Sequence, residues 1–299
     1  ASALKGFDDS SPQLFSGEVA KPIVFRNLLL SLHDVVDARF YRPDLWRYMD
    51  PVVTSGGNLL RMECFSSCAS VYGRVDLKPE AFENASFYKQ GTTNVDFNAS
   101  FIQNLAILRP GKKAFFEAGE DSVSLETHKG KTIEHKVKLP ERWVKGFLQI
   151  QAIHRRTKPK FEIDKMTARQ LIDNLPSGGK EIMYLVPARG RPQTLYRPPS
   201  GSSDDYIAVS GALRLKLFRK ILPDIESIRV YEMGETGATI WVADTKFSQL
   251  TLGLSSSVQN GFSGDGDALR SFSKPPEVNQ LHIWNTMVKT LNNFTIEEM

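Results

Sequence analysis

The sequence predicts an α+β fold made of two similar strand-helix-three-strand units, with mostly antiparallel sheets. Three observations carry that prediction. Short alternating strand patterns follow short capped helices twice, and the runs Thr93 to Leu139 and Tyr206 to Leu254 keep the same element order. Each run then closes on a Gly-Phe pair, within Arg142-Trp143-Val144-Lys145-Gly146-Phe147 and Ser257-Val258-Gln259-Asn260-Gly261-Phe262. Placing Val95 on Val209 and Gly146 on Gly261 needs offsets of 114 and 115, so the copies stay in step. Duplicated units bury their apolar faces on one another, which sets architecture before any motif is considered.

Taken in order, residues 1–21 are rich in Ser, Asp and Gly and read as a flexible lead-in. Pro22, a favoured first helical residue, opens a helix to about Ala38 whose apolar positions Ile23, Leu28, Leu30, Leu32, Val35 and Val36 form a wide buried face. Pro43 and Pro51 bracket a helical turn with Trp46 and Tyr48, and Ser55-Gly56-Gly57-Asn58 turns the chain into strands Leu59 to Phe65 and Ala69 to Leu77. The first copy has Thr93 to Phe97 as lead strand, Asn98 as N-cap of a helix through Leu108, and strands Ala114 to Ala118, Ser122 to Thr127 and Thr132 to Leu139. In the second, Tyr206 to Val209 leads, Ser210 caps a helix through Leu222, and Ser227 to Glu232, Thr239 to Asp244 and Phe247 to Leu254 are the strands. Asp164 caps a further helix to Leu175. The resulting division is a first α+β unit over 22–153, a second over 154–272, and a C-terminal helix with the start of a following domain over 273–299. The Thr295-Ile296-Glu297-Glu298 capping box has no helix after it, which predicts that the natural chain continues past Met299.

Composition excludes several classes. A hydrophobic fraction of 41% and a charged fraction of 24% are those of a globular chain with a real core. No apolar run approaches the roughly 18–20 residues that span a bilayer, so no membrane association is expected. Two cysteines among 299 residues point to a reducing compartment, and the expected location is the cytoplasm. A net charge of +4 permits an acidic partner without requiring one.

Motifs with chemistry are weak. Cys64 and Cys68 lack the second ligand pair that zinc wants and read as small buried thiols. Gly261-Phe262-Ser263-Gly264-Asp265-Gly266 lacks the Lys and Ser/Thr of a phosphate loop, and Asp265 and Asp267 would repel a phosphate. Asp265, Asp267 and Glu277 do not fit an EF-hand, and Ser66, Ser67 and His33 show no orienting acid. No catalytic residue, metal ligand or cofactor is therefore assigned. The run His154-Arg155-Arg156-Thr157-Lys158-Pro159-Lys160 reads first as a solvated linker between the copies, and Arg189 to Gly201 as a flexible basic loop. Trp143, Phe147 and Phe262 are expected to fix how the copies pack.

Phrases spread over most of the chain, namely Asp50 to Gly57, Cys64 to Cys68, Gly91 to Asn98, Leu139 to Phe147 and Gly261 to Gly266, resemble the N-terminal region of bacterial SWIM zinc-finger family proteins. That resemblance implies a non-catalytic adaptor or scaffold whose partners are MoxR-type AAA ATPases and von Willebrand A-domain proteins. The SWIM signature itself, Cys-x-Cys followed by Cys-x-His, is absent, so no zinc ligand carries over. The strand-helix-three-strand unit also resembles the half-domain of DNA sliding clamps, which implies nucleic-acid binding as the alternative function. Its candidate contacts are Arg155, Arg156, Lys158 and Lys160 on the crossing, and Arg214, Lys216, Arg219 and Lys220 on the second helix. Against it, the equivalent first helix, Ala99 to Leu108, carries no charge.

Overall fold

The computed structural model describes residues 12–38, 51–139, 146–147, 150, 159–175, 182–188, 191–200, 205–233, 237–256 and 261–262. The chain begins with β1 (Gln13–Val19), which lies inside a sheet between β5 (Phe82–Phe87) and β7 (Phe115–Gly119). This corrects the expected flexible lead-in over residues 12–21, its first eleven residues lying outside the described ones: Leu14 and Phe15 are fully buried, and burial of that pair outweighs the polar composition around it. Helix α1 (Pro22–Asp37) starts on its proline and buries Phe25, Leu28, Leu29, Leu32, Val35 and Val36. Strands β2 (Val52–Ser55), β3 (Leu60–Phe65) and β4 (Val71–Leu77) form a meander, and β6 (Gly91–Asn94) leads to α2 (Ala99–Ala106). Asn98 caps α2 by accepting from the Ser100 and Phe101 amides, as its position predicts. Strands β8 (Ser122–Thr127) and β9 (Gly130–His135) complete the first unit.

The second unit opens with β10 (Pro159–Asp164), whose first two residues end the run expected to be a linker; the remainder of that run, 154–158, lies outside the described residues. Asp164 then caps α3 (Lys165–Asp173) through the Thr167 amide. Strands β11 (Ile182–Ala188), β12 (Arg191–Leu195) and β13 (Ile207–Ser210) follow, with β12 lying in the segment expected to be a basic loop. The helix predicted from Ser210 to Leu222 is instead a 3-10 helix, Ala212–Phe218, entered through Gly211 in the left-handed region at φ 57°. Its first turn closes i→i+3, the Arg214 amide donating to Gly211 O, and the Arg214 side chain adds bonds from Nε to Gly211 O and from Nη2 to Ser210 O. Strands β14 (Ser227–Glu232), β15 (Thr239–Asp244) and β16 (Ser248–Leu254) end the unit.

Every strand pairing among the described residues is antiparallel, and strands far outnumber helices. The fold is therefore mostly β, more so than the α+β expectation. Three sheets result, ordered β5-β1-β7-β8-β9, β10-β14-β15-β16-β4-β3-β2-β6, and β12-β11-β13. The ladders repeat between the halves. The pair β1:β7 recurs as β10:β14, β7:β8 as β14:β15, and β8:β9 as β15:β16. Likewise β2:β3 recurs as β11:β12 and β2:β6 as β11:β13. The duplication thus starts at β1 and β10, earlier than the run from Thr93 implied.

The halves are joined by hydrogen-bonded strands. β16 pairs with β4 from Ser248↔Leu77 to Leu254↔Val71, making one eight-stranded sheet out of both units. Arg214 locks this seam from within. It is 1% exposed, and Nη1 donates to Ser70 O at 2.6 Å and to Ser255 Oγ, while Nη2 donates to Ser255 O at 2.8 Å. One buried guanidinium so satisfies carbonyls on both sides of the junction.

Candidate nucleic-acid interface

Four helical elements lie side by side across the sheets. α2 touches α1, α1 touches the 3-10 helix, and the 3-10 helix touches α3. Alternation along the strands turns their apolar positions under this row. Close approach needs Gly73, because a Cβ there would stand 3.1 Å from Val35 Cγ2 and 3.2 Å from both Leu32 Cδ1 and Cys64 Sγ. Polar ties fix the row further. Arg26 Nη1 donates to Leu108 O, Ser67 Oγ to Val36 O, Asn104 Nδ2 to Leu125 O, and Lys165 Nζ to Pro223 O. Lys220 pairs with Asp34, linking the end of the 3-10 helix to α1.

Charge on the outer side of the row is uneven. On α2 the exposed residues are Ala99, Ser100, Gln103 and Ala106, none of them charged. On α3, Lys165 and Arg169 are exposed and Asp173 is its one acid. On and after the 3-10 helix, Lys216 is half-buried and Arg219 and Lys220 are exposed. Neither Lys216 nor Arg219 enters an ion pair among the described residues. The half built from α3 and the 3-10 helix thus presents a basic track, where i and i+4 spacing sets Lys165 and Arg169 on one face.

The expected contacts divide accordingly. Lys216 and Arg219 come together on this track, and Lys220 stands beside them with its charge paired to Asp34. Arg214 does not: it is a seam residue, buried and saturated by carbonyls, and burial lowers its pKa to about 10, still protonated at neutral pH. Lys160 does not either, since on β10 its Nζ is held by Glu232 Oε2 at 2.9 Å and Tyr206 O at 2.8 Å. Arg155, Arg156, Lys158 and Trp143 lie outside the described residues. Lys165 and Arg169 were missed as contacts, although their spacing after the Asp164 cap was there to be read.

Two other clusters lie away from the row. Both Gly-Phe closures converge on Phe65: the Phe147 ring stands 5.0 Å and the Phe262 ring 6.2 Å from it, centroid to centroid. The glycines allow this. A Cβ on Gly146 would meet Phe65 Cζ at 2.7 Å, and one on Gly261 would meet Cys68 O at 2.6 Å. On the same sheet, Arg61 and Arg74 bracket Asp76, at 2.7 and 2.8 Å, and Tyr72 Oη donates to Glu63. Burial works against the Arg61 charge, but the carboxylates of Glu63 and Asp76 outweigh it and hold the pKa above its ordinary value. These groups are balanced and structural. Among the described residues, no three His, Cys, Asp or Glu side chains gather as a metal site, and no helix is long and apolar enough to cross a membrane. Cys64 is buried with Sγ 3.6 Å from Leu32 O, and Cys68 lies between Ser66 and Ser70.

No family model matches the chain. No curated protein matches it either, so the resemblance to SWIM proteins, with its ATPase and A-domain partners, gains no support from comparison. Solved structures do match. The proliferating cellular nuclear antigen of Entamoeba histolytica superposes with a TM-score of 0.54 at 10% identity, over 81% of this chain and 98% of that one. The PCNA2-PCNA3 complex of Sulfolobus tokodaii gives 0.57 at 10% identity, over 80% and 98%. The fold resembles that of the sliding clamps, duplication included.

Proposed function

We propose that this chain is a non-catalytic clamp-type module that binds duplex nucleic acid along its helical row and works with protein partners. The observation that carries this reading is the contiguous helical face with Arg169, Lys216 and Arg219 on one half, none of them in an ion pair among the described residues, beside Lys165, whose Nζ is tied to Pro223 O near Asp224. Such a face contacts phosphates without reading sequence, and each neutralised phosphate releases counterions. The mostly antiparallel, duplicated fold shared with the nuclear-antigen structures supports the same reading. Uncharged α2 makes the track one-sided, so affinity should be modest.

Fluorescence anisotropy with a duplex of about 30 base pairs tests it. Binding should weaken steeply between about 50 and 200 mM salt. Lys216→Glu with Arg219→Glu should weaken binding about equally for unrelated sequences and flatten the salt slope. Absence of binding at the lower salt, or binding indifferent to salt, would end the proposal.

A further inference from the structure

We propose that the first turn of α2 is held by a proton-sensitive latch: it is seated while the Glu134 carboxyl on β9 is protonated and loosens when that carboxyl ionises. Alternation along β9 turns Thr132 and Glu134 towards α2, where Thr132 Oγ1 accepts from Asn104 Nδ2. Glu134 is 5% exposed. Its Oε2 accepts from Asn98 Nδ2 at 2.9 Å, whereas its Oε1, shut off from solvent, meets no hydrogen-bond partner among the described residues. A buried carboxylate needs donors on both oxygens to replace its lost hydration, and a neutral acid needs far less. The site as built suits the neutral form.

The same cap ties this acid to the helix. Asn98 Oδ1 accepts from the Ser100 and Phe101 amides and Asn98 O from the Ile102 amide, so the first turn hangs on the residue that also bonds Glu134. Neighbouring charges do not favour ionisation. From the turn before α2, Asp96 opposes it; from α1, His33 acts on Asp96; α2 itself carries no charge. On β8 the residue opposite is Val123, between Ser122 and Ser124. On the acid's own strand His135 alternates to the other face, and Lys136 just beyond it stands 3.9 Å from Asp121. Burial first and Asp96 second hold the Glu134 pKa at about 7, with Asn98 alone pulling it down. Ionisation therefore calls for water at Oε1, and the exposed Asn98 cap is the cover that must lift to admit it. The Phe97 and Phe101 rings, stacked at 4.3 Å, resist that motion from the apolar side. Because the folded value lies above the ordinary 4.5, the latch is at full strength below pH 4.5 and has lost the proton's share once pH passes about 7.

Amide hydrogen exchange of the full chain, resolved by NMR, tests the latch. Dividing each observed rate by its intrinsic rate at that pH gives the opening constant of the site. For Phe101 and Ile102 this constant should rise about 10- to 100-fold between about pH 5 and pH 8 and then level off. The amides of α3 should show no such rise. Glu134→Gln should make the α2 profile flat and low, and Asp96→Asn, which removes the opposing charge, should bring the levelling to lower pH. A flat profile in the natural chain overturns the latch, whether or not either variant folds. So does an equal rise in α3, which would make the opening global, or an equal rise in folded Glu134→Gln, which would place the titration on another group. The latch needs no ligand, so a failure to bind duplex refutes the proposed function alone, and a flat exchange profile refutes the latch alone.

Discussion

The first and second units share five ladders and differ in what they expose. The first keeps β4 and β5, receives β16, and has an uncharged α2. The second shows no counterpart of either strand among the described residues, carries Arg214 inside its 3-10 helix, and bears the basic track. By the offset that places Val95 on Val209, the counterpart of Arg214 is Ser100, an exposed residue in the first turn of α2. One topology therefore serves two tasks. Where a unit must be sewn to its neighbour, a charged side chain is spent inside; where it faces outward, the same position stays small and polar.

Replacing the two counterparts would break this comparison most sharply. Arg214→Ala leaves the Ser70, Ser255 and Ser210 carbonyls short of a buried donor and should cost about 3–5 kcal/mol. Ser100→Ala should cost no more than about 0.5 kcal/mol, and equal effects in thermal melts would show that Arg214 is not the seam lock. The closures come next. Gly261→Ala drives a Cβ into backbone at Cys68 O and should cost about 1–3 kcal/mol. Gly146→Ala meets only the Phe65 ring, which can turn, and should cost less; the reverse order would mean that the two closures are not docked as described.

Smallest is a buried acid. The register that sets Leu125↔Thr132 on Ala243↔Leu250 places Glu134 where the second unit has the core residue Leu252. Burial, and then the Asp96 carboxylate, raise the Glu134 pKa from 4.5 to about 7, while Asn98 Nδ2 donates to Oε2. The folded chain holds this proton more tightly than the unfolded one. Its contribution to stability is thus fully present below pH 4.5 and is lost as pH rises through about 7. Glu134→Gln should stabilise the chain at pH 8 by about 1 kcal/mol, discounted for partial solvent screening. That gain should vanish near pH 4.5, and a constant gain across the range would remove the titration from the account.

Local signals were legible wherever one residue decides the structure. Asn98 and Asp164 announce their helices, Pro22 opens α1, and β8, β14 and β15 fall on the predicted residues. Strands whose reason is remote were not. β1 read as a polar lead-in and the start of β10 as the end of a basic linker because their partners β7 and β14 come some hundred and some seventy positions later. The candidate site was half legible for the same reason: Lys216 and Arg219 are on the surface, but Lys160 and Arg214 look identical to them in sequence and are claimed by Glu232 and by the seam.

By itself, then, the sequence determined the alternation, the caps, the repeat of element order and the pair of Gly-Phe closures, all of which depend on neighbours a few residues away. Only the tertiary structure decided that both closures end on Phe65, that the two units share one sheet, and which basic side chains remain free to meet a phosphate. The physical reason is that sheet pairing and burial are set by partners far along the chain. A charge keeps or loses its freedom according to what those partners bring beside it.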